Sequence, residues 1–233
     1  LRAASEVFHA LKGILLDKGL NTNVGDEGGY APDLSSNEEA LSVIVKSIET
    51  AGYIPGKNIF IALDIAASSF YNSETDTYNI DNTNKTREEL LNYYIELLQK
   101  YPIISIEDPF DEDDYLGFKM ITDSLGKKIS IVGDDLFVTN KNLLKKGIEE
   151  GLCNAILIKP NQVGSFYETL ETIVLAKQNK YTCIMSHRSG ETTDTFISDL
   201  AVALNIPFMK SGSTSRGERL SKYNRLLEIE EEL

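Results

Sequence analysis

The chain is short of the residues that would cross-link it, embed it in a bilayer or draw it to a polyanion. It has two cysteines in 233 residues, Cys153 and Cys183, both in or beside apolar runs. That count excludes a disulfide framework and fits buried thiols acting as small hydrophobes. No apolar stretch approaches the roughly 20 residues of a membrane span, and no signal peptide is visible, so the cytoplasm is the expected compartment. Positive charge is scarce: 23 Lys and Arg stand against 36 Asp and Glu, a formal net charge of −13. Such a balance argues against a nucleic-acid binder or a polybasic membrane surface. An acidic protein still binds an acidic substrate where metal ions or a local Lys and Arg cluster reverse the sign. Linkers and low-complexity segments are absent too, so one large domain over residues 1–233 is expected. The chain also lacks an initiator Met. Leu1 leads directly into what reads as helix interior, as a piece of a longer protein does.

What is present is a repeat-like series of apolar runs, each ending in a charged or catalytic-type residue. They are IFIALD ending at Asp64, IISIED at Glu107 and Asp108, and ISIVGDD at Asp134 and Asp135. AILIK at Lys159, TCIMSHR at His187 and Arg188, and IPFMK at Lys210 follow. From Glu107 onward the charged ends fall about 25 residues apart, close to one strand-plus-helix unit. A buried parallel strand reads as a near-continuous apolar run, and a helix must carry the chain back before the next. The spacing predicts an α/β fold with a parallel sheet. Charged residues at the carboxyl ends of its strands are where β/α barrels build active sites.

Helix signals fall between the strands. AASEVFHALKGILLDKG has helical spacing and a stop at Gly19, and a second helix over EEALSVIVKSIETAG ends at Gly52. Capping boxes are expected at Ser35 with Glu38, Thr86 with Glu89, Ser165 with Glu168 and Ser215 with Glu218. The polar stretch YNSETDTYNIDNTN reads as an exposed hairpin or loop.

Asp64, Glu107 and Asp134 end three successive strands. Any one of them reads as a helix N-cap or a loop acid. Three carboxylates converging on one point would repel one another unless a cation sat between them, and all-oxygen ligands select Mg²⁺ over zinc or copper. Lys159 closes an apolar strand, where packing gives a lysine little reason to be. Beside a dication and low-dielectric walls it could serve as a general base, or it could simply pair with a neighbouring carboxylate. Arg188 offers a planar fork for phosphate or carboxylate, and Ser189 a short donor. His187 stands between Ser186 and Arg188 and reads as a site residue, with a hydrogen-bonded core histidine as the alternative. His9 is assigned no function. Lys210 adds positive charge at the last strand end. Glu27 lies on the loop NVGDEGGYAPDLSSN, where Gly28 and Gly29 would let the backbone approach and leave a ligand. Opposite a lysine base, a carboxylic acid supplies the second, proton-donating role.

VGDEGGYAP, ALDIAAS, SIEDPFDEDD, VGDDLFVTN, LIKPNQVG, SHRSGET and MKSG, followed by SRGERLSKYNRLL, resemble enolase, the phosphopyruvate hydratase of glycolysis. The match runs from the opening helix almost to the carboxyl end. It implies an enolase-type TIM (β/α)8 barrel, incomplete at its N-terminal side, and reversible dehydration of 2-phosphoglycerate to phosphoenolpyruvate. By that resemblance Asp64, Glu107 and Asp134 hold Mg²⁺, Lys159 is the base and Glu27 the acid. Arg188 and Ser189 grip the phosphate, Lys210 contacts the substrate carboxylate, and His187 forms a second polar wall. A homo-oligomer, dimeric or octameric, is implied as well.

Enolases carry an amino-terminal domain and the first barrel strands ahead of the segment that begins here. With these go a serine-bearing loop, a histidine and a second glutamate of the site, so the isolated chain is expected to be inactive. Ser69 and Thr193 also stand where the family usually has glutamate. Other enolase-superfamily enzymes, such as sugar-acid dehydratases or racemases, share the barrel but usually place their bases on other strands. Binding of plasminogen at a cell surface, known among similar enolases, is usually attributed to lysines. Here the chain ends EEL and FYNSETDTY has none.

Overall fold

The computed structural model describes residues 1–233. Helices α1 (Arg2–Asp17) and α2 (Asn37–Thr50) open the chain. Strand β1 (Ile61–Asp64) is followed by a short 3-10 turn, Ala67–Phe70, and by β2 (Tyr71–Asn72), β3 (Thr77–Ile80) and β4 (Thr83–Lys85). Helix and strand then alternate as α3 (Arg87–Lys100), β5 (Ile103–Glu107), α4 (Tyr115–Leu125), β6 (Ser130–Gly133), α5 (Lys141–Glu150) and β7 (Ala155–Ile158). The short α6 (Pro160–Val163) and α7 (Phe166–Gln178) precede β8 (Thr182–Ser186) and α8 (Phe196–Ala203). Strand β9 (Phe208–Lys210) and α9 (Gly217–Glu232) close the chain. All six strands expected from the apolar runs are present, and no helix is long and apolar enough to cross a membrane.

The chain divides into two compact units, Phe60–Ile184 and Leu1–Ile59 with Met185–Leu233. In Phe60–Ile184, β1, β5, β6 and β7 lie side by side in that order, each pair parallel. Asp64 stands opposite Glu107, Glu107 opposite Val132, and Val132 opposite Ala155. Partners in register share a face, and so do residues two apart on one strand. One face therefore carries Val132, Ala155 and Leu157, which pack as a buried cluster with Ile184 against it. Between β1 and β5 the register shifts: Ile61 pairs with Ile103 but Ala62 with Ser105, leaving Ile104 as an extra residue.

The segment expected as an exposed hairpin or loop is a three-stranded antiparallel meander of β2, β3 and β4. Its surface is polar, but Tyr78 and Ile80 point inward and are buried. The Tyr78 hydroxyl donates to Asp114 (2.7 Å), which also accepts from Arg87 Nε and caps α4 through the Gly117 amide. The Tyr78 ring meets Phe110 edge-on, as do Tyr94 and Phe118. Burial of Tyr78 and Ile80 decided the structure there, and a reading of average polarity misses it.

In the other unit α1 packs on α2, and α8 on α9. The caps follow the sequence in part. Thr86 and Glu89 form the expected reciprocal capping box, and Ser165 accepts from the Glu168 amide. The cap of α2 is Ser36, accepting from Glu39, one residue beyond the expected Ser35. Glu39 turns back to the amide and hydroxyl of Ser35, so both serines are used. Ser215 does not cap α9. Arg216, with φ 66°, takes the N-cap position without a side-chain cap.

Candidate active site

Within Phe60–Ile184 the strand ends bring four of the expected residues onto one face. Asp64 is adjacent to Glu107 by register, Asp134 lies two residues beyond Val132, and Lys159 two beyond Leu157. Lys159 Nζ is hydrogen-bonded to Asp134 Oδ2, and Gln162 Nε2 reaches Asp134 Oδ1 at 3.2 Å. Lys159 is thus a strand-end lysine paired to a carboxylate, the contact that the sequence offered as the alternative to a general base. Glu107 and Asp134 are buried, while Asp64 is exposed.

Three residues with no expected part in the site hold this corner. Asp108 adopts φ 43°, which swings its carboxylate off the strand direction. Its two oxygens accept the amides of Asp134 (2.9 Å) and Asp135 (2.8 Å). Burial, and then the charges of Asp134 and Asp135, push its pKa up to about 7 against those two hydrogen bonds. Thr139, fully buried, accepts the Lys159 amide (2.9 Å) and donates to Gln162 Oε1 (2.6 Å). Gln162 then reaches Asp134 and ties the lysine and the acid to one loop.

Asp108, Asp134 and Asp135 have carboxylate oxygens within 4.8 Å of one another, close enough to share a cation. Asp134 is the member common to this cluster and to the expected trio of Asp64, Glu107 and Asp134. Both oxygens of Asp108 already serve backbone amides, so it braces the turn more naturally than it binds an ion. The donors on this face are carboxylates throughout, which suits a hard dication such as Mg²⁺. The Lys159 ammonium against Asp134 marks the same demand for positive charge.

In the unit formed by Leu1–Ile59 and Met185–Leu233, Glu27 is gathered with His187 and Ser189. Ser189 Oγ donates to Glu27 Oε1 at 2.8 Å, and His187 Nε2 lies 3.5 Å from Glu27 Oε2. The Glu27 loop is seated by backbone. Its carbonyl accepts the Ser213 amide (2.9 Å), and a Cβ on Gly28 would stand 2.8 Å from the Ser215 carbonyl oxygen. With φ +81° as well, Gly28 is the residue type that this approach requires. The Lys210 carbonyl accepts the His187 amide (2.9 Å), which sets the two strand ends together. Arg188 is exposed, and its amide is held by Glu191 Oε1.

Burial raises the pKa of Glu27, but the Ser189 hydrogen bond and the charges of His187, Lys210 and Arg219 outweigh it, leaving the carboxyl below its usual value. Burial chiefly, opposed by Glu27 and reinforced by Arg219 and Lys210, lowers the His187 pKa to about 4. The ring is neutral at ordinary pH.

Sequence reading gave no role to Arg219 and Lys222, both 1 % exposed on α9. Lys222 pairs with Glu191 (3.0 Å) and reaches the Thr192 carbonyl (2.7 Å), and Arg219 contacts His187, Arg188 and Ser189. Their three-residue spacing on a helix flanked by apolar positions was the available signal, since charges there are seldom buried without partners.

The family model for the enolase C-terminal TIM barrel domain matches residues 1–233. A curated relative, the enolase of Sulfurimonas denitrificans, is 55% identical over 233 residues, covering 100% of this chain and 55% of the relative. The chain therefore spans about half the length of that relative. With a barrel-domain match from end to end and this identity, the chain belongs to the enolase family, as its C-terminal TIM barrel domain.

Proposed function

We propose that the protein carrying this chain catalyses the reversible dehydration of 2-phosphoglycerate to phosphoenolpyruvate and water. The observation that carries the reading is Lys159 hydrogen-bonded to Asp134 on the face that bears Asp64 and Glu107. A base among strand-end carboxylates is what removal of a weakly acidic proton next to a carboxylate needs. Asp64, Glu107 and Asp134 would hold Mg²⁺, which when bound offsets the charge that builds on the substrate carboxylate.

In this reading Lys159 takes the C2 proton as the free amine, the form it would adopt once Asp134 had Mg²⁺ in place of the lysine as its countercharge. Glu27 gives a proton to the C3 hydroxyl as the C3–O bond breaks, the C2=C3 bond forms, and water leaves. Arg188 and Ser189 grip the phosphate, Lys210 meets the carboxylate, and His187 adds a polar wall. Glu27 is ionised in the free protein, so its acid role depends on the substrate. The phosphate and carboxylate bring negative charge that favours the protonated form, and Ser189 turns its hydroxyl from Glu27 to phosphate. Assembly as a dimer or octamer in the cytoplasm belongs to the same reading.

The test is a phosphoenolpyruvate-formation assay on the full-length protein with Mg²⁺, beside Lys159→Ala. The variant is expected to lose about 10²–10⁴-fold in kcat, the range of general acid–base catalysis. An active Lys159→Ala variant, or a wild type that ignores 2-phosphoglycerate, overturns the reading.

A further inference from the structure

Helix α9 buries an arginine to which the proposed chemistry gives no task. The Arg219 guanidinium gathers four acceptors from two loops. Nη1 lies 2.6 Å from His187 Nδ1 and 2.7 Å from the Arg188 carbonyl oxygen. Nη2 lies 2.6 Å from the Ser189 carbonyl oxygen and 3.0 Å from that of Asp26. Backbone carbonyls alone would satisfy a buried guanidinium, so the ring nitrogen is the informative partner. A guanidinium has N–H donors and no acceptor, and it stays charged at any working pH. The nitrogen it meets must therefore offer a lone pair. In a neutral imidazole the single proton is then on the other nitrogen.

That other nitrogen, Nε2, is buried and has no hydrogen-bond partner. Glu27 Oε2 stands 3.5 Å away, beyond a normal donor–acceptor distance. A buried polar atom left unsatisfied in this way is costly, and such atoms concentrate where a ligand completes the bond. Close packing fixes the arrangement from below. A Cβ on Gly212 would lie 2.6 Å from the Glu27 carbonyl oxygen and 2.9 Å from Arg219 Cδ, so the arginine stem and the Glu27 backbone share the space that glycine leaves.

We propose that Arg219 is a positioning residue that locks His187 as the neutral Nε2–H tautomer and holds that hydrogen ready for a substrate oxygen bound beside Glu27. The inference deepens the function proposed above and rests on it only for the identity of that oxygen. Arg219 acts twice: it takes the Nδ1 lone pair, and its charge opposes an imidazolium. The other charged groups facing the ring are Glu27 and Glu191, which favour the imidazolium, and Lys210, which disfavours it. With the ring neutral, His187 donates one hydrogen bond without competing for the proton that Glu27 has to carry.

The experiment is nitrogen NMR of the imidazole in the full-length protein carrying His9→Gln, with the His187 signals identified by their loss when His187→Gln is added. In the otherwise wild-type protein at neutral pH, Nδ1 is expected at the unprotonated position and Nε2 at the protonated one. Arg219→Lys keeps a cationic donor and should retain that pattern. Arg219→Met removes both donor and charge, so the two tautomers should mix and the titration should move up from about 4 towards the ordinary 6.5. A protonated Nδ1 in the wild type overturns the proposal, as does an Arg219→Met spectrum and titration identical to wild type. Should Arg219→Met fail to fold, the wild-type spectrum decides alone. An Nε2–H tautomer in a protein that does not turn over 2-phosphoglycerate supports the arginine's role and counts against the proposed function only.

Discussion

Replacing Thr139 by valine tests how Lys159 is held. Valine keeps the shape of threonine and the same left-handed backbone (φ 57°), and it removes one oxygen. That oxygen accepts the Lys159 amide and donates to Gln162, which in turn reaches Asp134. An orphaned amide costs about 1–3 kcal/mol and a lost neutral hydrogen bond about 0.5–1.5 kcal/mol. Lys159 and Gln162 are only partly buried, so water recovers some of this and a net loss of about 2 kcal/mol is expected. At about 2–4 °C per kcal/mol for a chain of this size, Tm should fall by about 4–8 °C. Turnover should suffer more than stability, because a displacement of about 1 Å at a reacting group costs on the order of 10²-fold. Thr139→Ser keeps the hydroxyl and loses a methyl, so it should give up about 1 kcal/mol and nearly all the activity should survive. Calorimetry and steady-state assays on the three proteins decide the matter. A valine variant matching wild type in both, or a serine variant as slow as the valine one, would refute the assignment.

Two further outcomes follow from packing and charge. A Cβ on Gly147 would stand 2.3 Å from the Phe137 ring, and one on Gly133 would stand 2.6 Å from the same ring, which leaves it no room to shift, so Gly147→Ala should cost about 1–3 kcal/mol. Phe137→Leu in the same chain should recover part of that in a double-mutant cycle, and simple additivity would show that the ring is not wedged. His187 has its folded pKa at about 4, below the unfolded 6.5, so the unfolded chain binds this proton first. Its contribution is complete above about pH 6.5 and is lost as pH falls towards 4, and His187→Gln should flatten that part of a pH–stability curve. An unchanged slope would mean that the ring is charged in the folded protein.

The strands were legible because a parallel strand buried on both faces has to be apolar along its length, and AILI in β7 is fully buried. Their charged ends stood out for the same reason: Asp64, Glu107, Asp134 and Lys159 break the pattern where the strand meets its loop. The helix caps were less legible because one pattern fits neighbouring residues. Ser35 and Ser36 both precede a glutamate by three, and only the fold chose Ser36. At Ser215 the pattern was present, but its backbone is packed against Gly28 and Arg216 takes the turn. Asp108, Thr139 and Arg219 were hidden for a different reason. What each does depends on partners 20 or more residues away, and a loop threonine or a helical arginine looks alike in sequence whether or not those partners arrive.

The extra residue at Ile104 has a consequence for chemistry. Were Ile104 paired in the ladder instead, unbroken pairing from Ile61 with Ile103 would bring Asp64 opposite Ile106, and the two acids would project from opposite sides of the sheet. Whether that residue is bulged out or paired thus decides, three residues later, whether two carboxylates are neighbours or strangers. Deleting Ile104 should close the bulge and keep the acids side by side, because Ile103 would then run straight into Ser105 and Asp64 would still meet Glu107.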